Sequence, residues 1–350
     1  MTGTPAYAPT EELLAQHGDV ETGAGLVNLA VNVRADAPPP WLRRRLGGVD
    51  LAKYPNPAAA RAAVAARHGR SVAQVLLTAG AAEAFVLIAR ATTPRHAVIV
   101  HPQFTEPEIA LRTAGHDVHR IVLEAPFTLT PDAVPDDADL VIIGNPTNPT
   151  SVLHPSGVLR ALARPGRLLV IDEAFADCVP GEPDSLAACD EVPGLVVIRS
   201  LTKTWGLAGL RAGYLLAEPT VVAAMARAQP PWAVSAPALD ACVACSSAEA
   251  VAEATAWAQR LLVERAHLVQ SLERIGGVRV VAAPSASFVL VHLDVSDARA
   301  ALRAKGFAVR RGDTFPGLGP QWVRIAVRDP LTTTALANAV KEILCQTSTT

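Results

Sequence analysis

From about residue 70 onward, short apolar runs alternate with longer stretches that carry apolar residues at helical spacing. Six of these runs are predicted to be strands: residues 75–78, 96–100, 139–143, 167–171, 195–199 and 212–217. Most of them are continuously apolar, which is typical of strands that helices cover on both faces. The pattern therefore predicts an α/β fold with a mostly parallel sheet between helical layers.

The pattern changes after Ser235, where a long Ala-rich helical stretch reaches about Ile275. Four short apolar runs with helical stretches between them follow, at residues 278–281, 287–293, 307–311 and 322–327. Because one compact core usually stops growing at about 250–300 residues, a chain of 350 residues should form two domains. We predict a large domain of residues 46–235 and a smaller, discontinuous α+β domain of residues 1–45 and 236–350.

The composition restricts the possible partners. A net charge of -2 and only 4% aromatic residues provide neither a basic surface nor stacking platforms for nucleic acid. No apolar stretch approaches the roughly 18–20 residues of a spanning helix, and the N-terminus lacks the pattern of a secretory signal. We therefore expect a cytoplasmic protein without a membrane partner. The five cysteines lack disulfide spacing, and Cys242 and Cys245 are predicted to be small core residues and not metal ligands.

Polar and turn residues follow each predicted strand, in the segments TAGAAE, HPQFTE, GNPTNPTS, DEAF and SLTKTW. Ligands of open α/β sheets bind outside the carboxyl ends of the strands, so these segments should face one crevice. The most informative segment places Ser200, Lys203 and Arg211 close together in sequence. A partly desolvated lysine can attack a carbonyl carbon, and an arginine with a serine suits a phosphate.

With these motifs in this order, the sequence resembles the fold-type-I pyridoxal-phosphate (PLP) enzymes of the class I/II aminotransferase superfamily, from about residue 17 to residue 330. The resemblance implies an aspartate aminotransferase-like fold and pyridoxal 5′-phosphate as the cofactor. In that family, Lys203 matches the lysine that binds the cofactor covalently, while Ser200 and Arg211 match the residues that hold its phosphate.

Two further motifs agree with a bound cofactor. Gly80, Ala81 and Ala82 form a turn from a strand into a helix, and the N-terminus of a helix favours an anion. The resemblance makes this turn the phosphate cup. Phe104 matches the aromatic residue that stacks on the pyridine ring.

The acidic pair Asp172 and Glu173 could also belong to a nucleotide hydrolase, but the chain has no GxxxxGK[ST] loop. The resemblance instead makes Asp172 the partner of the pyridine nitrogen and Asn148 the partner of the phenolic oxygen. The chain departs from the family twice: Ser151 stands where Gly is common, and Phe175 stands where many relatives have Tyr. We expect an altered loop at the first position and one lost hydrogen bond at the second.

Tyr54 matches a tyrosine that reaches the cofactor phosphate of the neighbouring subunit. Without the resemblance, a tyrosine directly before a proline-rich turn is more often a loop anchor. The match implies a homodimer whose active site is shared across a two-fold interface.

For the substrate, Arg324 matches the arginine that receives the α-carboxylate, a role that suits a planar guanidinium. Arg310 matches an arginine that binds the distal phosphate in relatives that act on phosphorylated amino acids or amino alcohols, although Arg311 is an alternative. His17 and Asn32 are the other candidate substrate-binding residues. The implied substrate is thus a small phosphorylated amino acid or amino alcohol.

Two branches of the family act on such substrates. The His17-Gly18 start, Phe175 and the turn at residues 315–318 favour threonine-phosphate decarboxylase, which converts L-threonine O-3-phosphate to (R)-1-amino-2-propanol O-2-phosphate in cobalamin biosynthesis. The alternative is an aminotransferase of the histidinol-phosphate type that uses 2-oxoglutarate. A non-catalytic PLP-binding regulator is less favoured, since only about 45 residues precede Leu46 and they contain no basic helix pair. A plain binding module does not explain the motifs at successive strand ends.

Overall fold

The computed structural model describes Tyr7 and residues 9–347. Within these residues the strands are β1 (Val27–Leu29), β2 (Val75–Thr78), β3 (Ala97–His101), β4 (Val118–Val122), β5 (Leu140–Gly144), β6 (Leu168–Asp172), β7 (Leu195–Ser200), β8 (Gly213–Ala217), β9 (Val278–Val280), β10 (Phe288–Leu293), β11 (Phe307–Arg311) and β12 (Trp322–Ala326).

The α-helices of the same residues are α1 (Glu11–Leu14), α2 (Pro40–Gly47), α3 (Ala58–His68), α4 (Ala81–Ala91), α5 (Glu106–Thr113), α6 (Ser156–Arg160), α7 (Pro219–Ala228), α8 (Ala236–Cys245), α9 (Ala248–Glu273), α10 (Ala298–Ala304) and α11 (Pro330–Thr347). Short 3₁₀ turns cover Gly18–Glu21, Val72–Gln74, Pro131–Ala133, Ala176–Cys178 and Ala208–Leu210.

Seven strands form the larger sheet, in the order β2-β8-β7-β6-β5-β3-β4. The strands from β7 to β4 pair in parallel, and β8 is antiparallel to both of its neighbours. Alternate residues of one strand pack into separate cores on the two faces, as Val98 and Ile99 of β3 do. The continuously apolar strands predicted from the sequence are therefore buried on both sides, and the carboxyl ends of β5, β6 and β7 open at one edge.

Five strands form the smaller sheet, in the order β1-β11-β12-β10-β9. Its pairs are antiparallel except for β1 with β11. Apolar residues of α9 and α11 cover it in a third core, which contains Trp257, Leu268 and Val340. The aspartate aminotransferase-like arrangement of a mostly parallel sheet beside a smaller α+β part agrees with the prediction.

The predicted strands agree with the observed ones to within about one residue at each end, but the sequence missed β4 and the three-residue β1. The residues of β4 are only partly buried and two of them are charged or polar, so they lack the continuous apolar pattern. The predicted long helix after Ser235 is interrupted at residues 246 and 247, where the Ser247 hydroxyl accepts the amide proton of Ala250 and begins α9.

Two helices wholly or mostly outside the predicted limits of the large domain pack against its sheet. Leu42 of α2 and Cys242 of α8 pack in the core of the seven-stranded sheet, although both lie outside residues 46–235. The division into two domains stays a prediction, and this packing would move its limits outward. As predicted, Cys242 and Cys245 are free, buried core residues. Among the described helices, none combines the length and the apolar character that crossing a membrane requires.

Candidate active site

Two adjoining cavities lie where the carboxyl ends of β5, β6 and β7 face the five-stranded sheet. The inner cavity, of about 150 Å³, is lined by Ala81, Ala82, Phe104, Gly144, Pro146, Asn148, Asp172, Ala174, Phe175, Ser200, Thr202, Lys203 and Arg211. The outer cavity, of about 330 Å³, is lined by His17, Gly18, Asp19, Ala30, Val31, Asn32, Val33, Phe104, Asn148, Thr202, Lys203, Ala208, Arg211, Arg310, Phe315 and Arg324. Lys203 lies in the walls of both.

Lys203 follows β7 in a short turn, and its carbonyl accepts the backbone N–H of Arg34 at 3.0 Å. Its Nζ lies 5.6 Å from the centre of the Phe175 ring. Burial, and then the positive charges of Arg324 and Arg211, lower the pKa of Lys203 to about 8. More of this amine is therefore neutral near physiological pH than of an ordinary lysine, and the neutral form is the one that acts as a nucleophile or a general base.

Asp172 ends β6 at the floor of the inner cavity, and its Oδ1 accepts the backbone N–H of Ala174 at 3.0 Å. Burial raises the pKa of Asp172 to about 6, against the lowering effects of this hydrogen bond and of Lys203. A buried carboxyl group with no arginine or lysine bonded to it favours a cationic or proton-donating ligand beside it.

At the other end of the inner cavity, Gly80 precedes the first turn of α4 with φ of 79°. This backbone conformation favours glycine, and a Cβ atom at this position would lie 2.7 Å from Nη2 of Arg211 and displace the guanidinium. Ser200, Arg211 and the first residues of α4, Ala81 and Ala82, line the same cavity. The helix N-terminus, the hydroxyl and the guanidinium together form a site with the chemistry of a phosphate cup.

Asn148 and Arg324 join the two cavities. Nη1 of Arg324 donates to Oδ1 of Asn148 at 2.5 Å, and Nη2 donates to the carbonyl of Ala30 at 2.5 Å. Nε of Arg324 is buried and has no hydrogen-bond partner. Burial, and then the charge of Arg310, lower the pKa of Arg324 below its usual range. An anion bound here would give Nε a hydrogen-bond partner and would raise the pKa of Arg324 towards its usual range.

Arg310 and Arg324 are directly opposite each other on the antiparallel strands β11 and β12. Nη2 of Arg310 donates to Oγ1 of Thr314 at 2.7 Å and also to the carbonyl of Gln16, while Nη1 is buried without a partner. Burial lowers the pKa of Arg310 to about 10, so the group is still protonated at neutral pH. Two buried like charges opposite each other on a sheet are unfavourable unless an anion binds between them.

The neighbouring Arg311 takes a different role. Both of its bonded nitrogens, Nε and Nη2, donate to the Asp313 carboxylate at 2.5 Å, and Arg311 lines neither cavity. Successive side chains of a strand point to opposite faces, so only one of the two arginines can face the cavity. The geometry therefore favours Arg310 for an anion of the substrate.

Three other predicted residues lie in the walls. Oδ1 of Asn32 is buried without a partner in the outer cavity. The His17 ring lies 5.5 Å from the Phe104 ring, centre to centre, with 39° between their planes. Phe175 packs edge-on against Phe288 at 4.9 Å. No described contact replaces the hydroxyl that a tyrosine at position 175 would supply.

At the first departure from the family pattern, the backbone keeps the conformation that favours glycine, because Ser151 has φ of 63°. Its Oγ accepts the backbone N–H groups of Ser285 at 3.0 Å and Ala286 at 2.8 Å. Glycine adopts this φ readily, and the expected alteration of the loop stays a prediction. The serine hydroxyl ties the Asn148 loop to the segment just before β10.

Of the predicted site residues in the described chain, Tyr54 and Gly80 line neither cavity, and Gly80 directly precedes the lining residues Ala81 and Ala82. Tyr54, by contrast, lies on the surface. It is 77% exposed and stacks on Trp232, which is 60% exposed, with 4.4 Å between ring centres. Such an exposed aromatic pair is typical of an interface with another molecule. The predicted contact with a second subunit thus stays a prediction.

Sequence reasoning missed Thr202, which lies in the walls of both cavities and is 7% exposed. Its position immediately before Lys203, in the SLTKTW segment, was a usable signal. It also missed Glu106, whose Oε1 lies 2.6 Å from Nε2 of His17, since 89 residues separate the two in sequence.

Comparison with known proteins agrees with this geometry. Residues 24–343 match the model of the family "Aminotransferase class I and II". A histidinol-phosphate aminotransferase of Mycobacterium bovis is 49% identical over 333 residues, which cover 93% of this chain and 90% of that protein. A threonine-phosphate decarboxylase of Salmonella typhimurium is 30% identical over 298 residues, which cover 81% and 80%.

Among solved structures, the histidinol-phosphate aminotransferase of Sinorhizobium meliloti in complex with pyridoxal-5'-phosphate superimposes with a TM-score of 0.77. The match covers 91% of both chains at 20% identity and supports the fold. The family match spans most of the described chain, including both sheets and all of the inner cavity, whereas His17, Gly18 and Asp19 of the outer cavity precede it. The chain belongs to the class I and II aminotransferase family of PLP-dependent enzymes.

Proposed function

We propose that this protein transfers an amino group between a small phosphorylated amine of the histidinol-phosphate type and 2-oxoglutarate. The observation that carries the proposal is the pair of buried arginines, Arg310 and Arg324, opposite each other in the outer cavity with unpaired nitrogens. The relative at 49% identity has this activity in its name, whereas the decarboxylase relative is at 30%. The comparisons thus favour the reading that the sequence motifs ranked second.

The cofactor is pyridoxal 5′-phosphate, and the inner cavity suits it. The cradle at Gly80, which a Cβ atom would fill, and the buried carboxyl group of Asp172 fit an anionic end and a protonated ring nitrogen, respectively. Ser200, Arg211 and the first amides of α4 would hold the phosphate, and Phe104 would lie against the ring. When bound, the cofactor supplies an electron sink for negative charge on the substrate's Cα atom.

The protein's own groups supply binding and proton transfer. Lys203, with its lowered pKa, would bind the cofactor and then move the proton at Cα as a general acid and base. Asp172 would keep the ring nitrogen protonated, and Asn148 would bond the phenolic oxygen. Because Phe175 has no hydroxyl, that oxygen would depend on Asn148 alone.

The two arginines would serve both substrates in turn. Arg310 would bind the phosphate of the phosphorylated amine, and the pair Arg310 and Arg324 would bind the two carboxylates of 2-oxoglutarate or glutamate. Charge-assisted hydrogen bonds from a planar guanidinium suit both kinds of anion. Asn32, whose Oδ1 has no partner, would accept a hydrogen bond from the substrate.

Decarboxylation of L-threonine O-3-phosphate is a second candidate, and one observation favours it. Arg310 and Arg324 do not separate the candidates, because they also match a substrate that carries a carboxylate and a phosphate at once. His17 and Gly18, the start of the decarboxylase-like motif, lie in the wall of that cavity. The bond that breaks would depend on how Arg310, Arg324 and His17 orient the substituents of the substrate's Cα atom.

One pair of assays separates the candidates. The holoenzyme is incubated with histidinol phosphate and 2-oxoglutarate, and separately with L-threonine O-3-phosphate alone. Glutamate formation in the first assay without CO₂ release in the second supports amino-group transfer. CO₂ and aminopropanol phosphate from the second, without glutamate from the first, would replace it by decarboxylation.

We further propose a homodimer in which Tyr54 of one subunit reaches the cofactor phosphate of the other. The support is the exposure of the Tyr54 and Trp232 stack and its absence from both cavities of its own chain. Sedimentation velocity should show a dimer. Tyr54→Phe should weaken cofactor binding but leave the dimer intact. A monomer with full activity would contradict the proposal.

A further inference from the structure

We propose that Glu106 is a positioning residue of the outer cavity, which acts on the phosphorylated substrate through His17. The inference rests on the proposed function only in that the outer cavity receives an anionic substrate. Glu106 itself lines neither cavity. Whatever it contributes to substrate binding must therefore pass through the residue that it holds.

The contact between the two side chains is short and specific. Oε1 of Glu106 lies 2.6 Å from Nε2 of His17, and the side chains are 27% and 36% exposed, respectively. Because a carboxylate accepts hydrogen bonds, Nε2 of His17 must carry the proton. The carboxylate thus fixes the orientation and the proton position of a ring that has Phe104 on one side and the cavity beside it.

Neighbouring contacts show that this part of the chain is held from two sides. Oγ1 of Thr105 donates to the carbonyl of Leu14 at 2.7 Å, next to the Glu106 contact. From the smaller sheet, Arg310 donates to the carbonyl of Gln16. The segment of residues 14–18 is thereby fixed between α5 and β11, and it presents His17 and Gly18 to the outer cavity.

The packing of Gly18 shows how little freedom the segment has. A Cβ atom at Gly18 would lie 2.6 Å from the carbonyl oxygen of Ala30, the same oxygen that accepts from Arg324. A shift of residues 14–18 would therefore disturb both arginine sites. Holding His17 in place stabilises the geometry in which Arg310 and Arg324 meet a substrate.

The simpler explanation is that Glu106 and His17 form only a surface ion pair, and such pairs contribute little to stability. That reading predicts no effect on substrate binding when Glu106 is replaced. A positioning role predicts an effect on the affinity for the phosphorylated substrate alone, because the inner cavity does not include Glu106 or His17.

The test uses holoenzyme carrying Glu106→Gln, Glu106→Asp, His17→Ala or the double change His17→Ala with Glu106→Gln. Glu124→Gln, at an exposed carboxylate, is the matched control. Glu106→Gln should raise KM for the phosphorylated substrate about 5- to 20-fold, with kcat and the visible absorbance of the bound cofactor unchanged. Glu106→Asp should restore part of the affinity, and the double variant should be no worse than His17→Ala.

An unchanged KM for Glu106→Gln, or effects of the two single changes that add in the double variant, would overturn the proposal. If the wild type turns over neither phosphorylated substrate, the proposed function fails, and Glu106 is then judged by calorimetric binding of inorganic phosphate to the holoenzyme. If Glu106→Gln loses as much affinity for phosphate as His17→Ala does, the positioning role is supported. If wild type and Glu106→Gln bind phosphate equally well, the positioning role is rejected.

Discussion

The two cavities draw their chemistry from different kinds of structure. The inner cavity takes its groups from loops after buried apolar strands, and their charges are mixed: Asp172 is acidic, whereas Lys203 and Arg211 are basic. The outer cavity takes its main groups, Arg310 and Arg324, from within strands of the smaller sheet. In the proposed function, the first cavity would hold one resident molecule among mixed charges, and the second would bind anions that come and go.

The burial of charged groups costs more free energy in the outer cavity than in the inner one. In the outer cavity, Arg310 and Arg324 are buried opposite each other and keep nitrogens without partners. Burying like charges in this way destabilises a sheet, so the arrangement is better explained by ligand binding than by folding. In the inner cavity, the opposite charges of Lys203 and Asp172 offset part of the cost of burial.

The largest effect should follow from removing the amine of the inner cavity. Lys203→Ala should lower kcat by at least about 10³-fold, because both the covalent link and the proton transfer are lost. The visible absorbance of the bound cofactor should also change. The measurement is steady-state turnover together with absorption spectra, and Lys53→Ala, at an exposed lysine, is the control that should match wild type.

A second prediction concerns how the outer cavity acts on the inner one. Since only the neutral amine of Lys203 reacts, capture of the cofactor by the apoenzyme should speed up as the pH rises through about 8. Arg324→Gln removes a positive neighbour, so the pKa of Lys203 should rise towards its ordinary value of 10.5. The midpoint should move to higher pH, and capture at neutral pH should slow several-fold.

Stopped-flow absorbance over a pH series measures this midpoint. A midpoint that stays in place, or moves to lower pH, would mean that the two cavities are electrostatically independent.

The smallest effect is expected where one loop ties the two parts together. Ser151→Ala keeps the strained φ of 63° and leaves the N–H of Ala286 without its acceptor, so the melting temperature of the apoprotein should fall by about 2–4 °C. Ser151→Gly loses the same hydrogen bond but relaxes the backbone, and it should melt between Ser151→Ala and wild type. Turnover should stay within a few-fold; if Ser151→Ala melted like wild type, the loop contact would be irrelevant.

How much the sequence predicts also differs between the two cavities. Most of the polar groups of the inner cavity could be predicted, although Thr202 was missed, because several of them end or closely follow a continuously apolar strand in a local motif, as Asp172 and Lys203 do. In the outer cavity the sequence left Arg310 and Arg311 as alternatives, since two adjacent charged residues do not reveal which face of a strand is buried. The contact of His17 with Glu106 depends on tertiary packing between distant segments and leaves no local signal.

The strands also differ in how well the sequence predicts them. Buried parallel strands such as β3 and β7 were predicted to within one residue, whereas β4, at the edge of the sheet, was missed because it is half exposed and partly polar. The contacts of the Ser151 hydroxyl with residues 285 and 286 also depend on tertiary packing, which local sequence does not show.

The most direct test of the two-cavity account is a titration of holoenzyme carrying Arg310→Gln. The titrant is whichever phosphorylated substrate the wild type turns over, and the readout is the visible spectrum of the bound cofactor. The account predicts full cofactor content with a half-saturating concentration about 10- to 100-fold above wild type, while Arg311→Gln behaves as wild type. Loss of the cofactor, or equal half-saturation for Arg310→Gln and wild type, would contradict it.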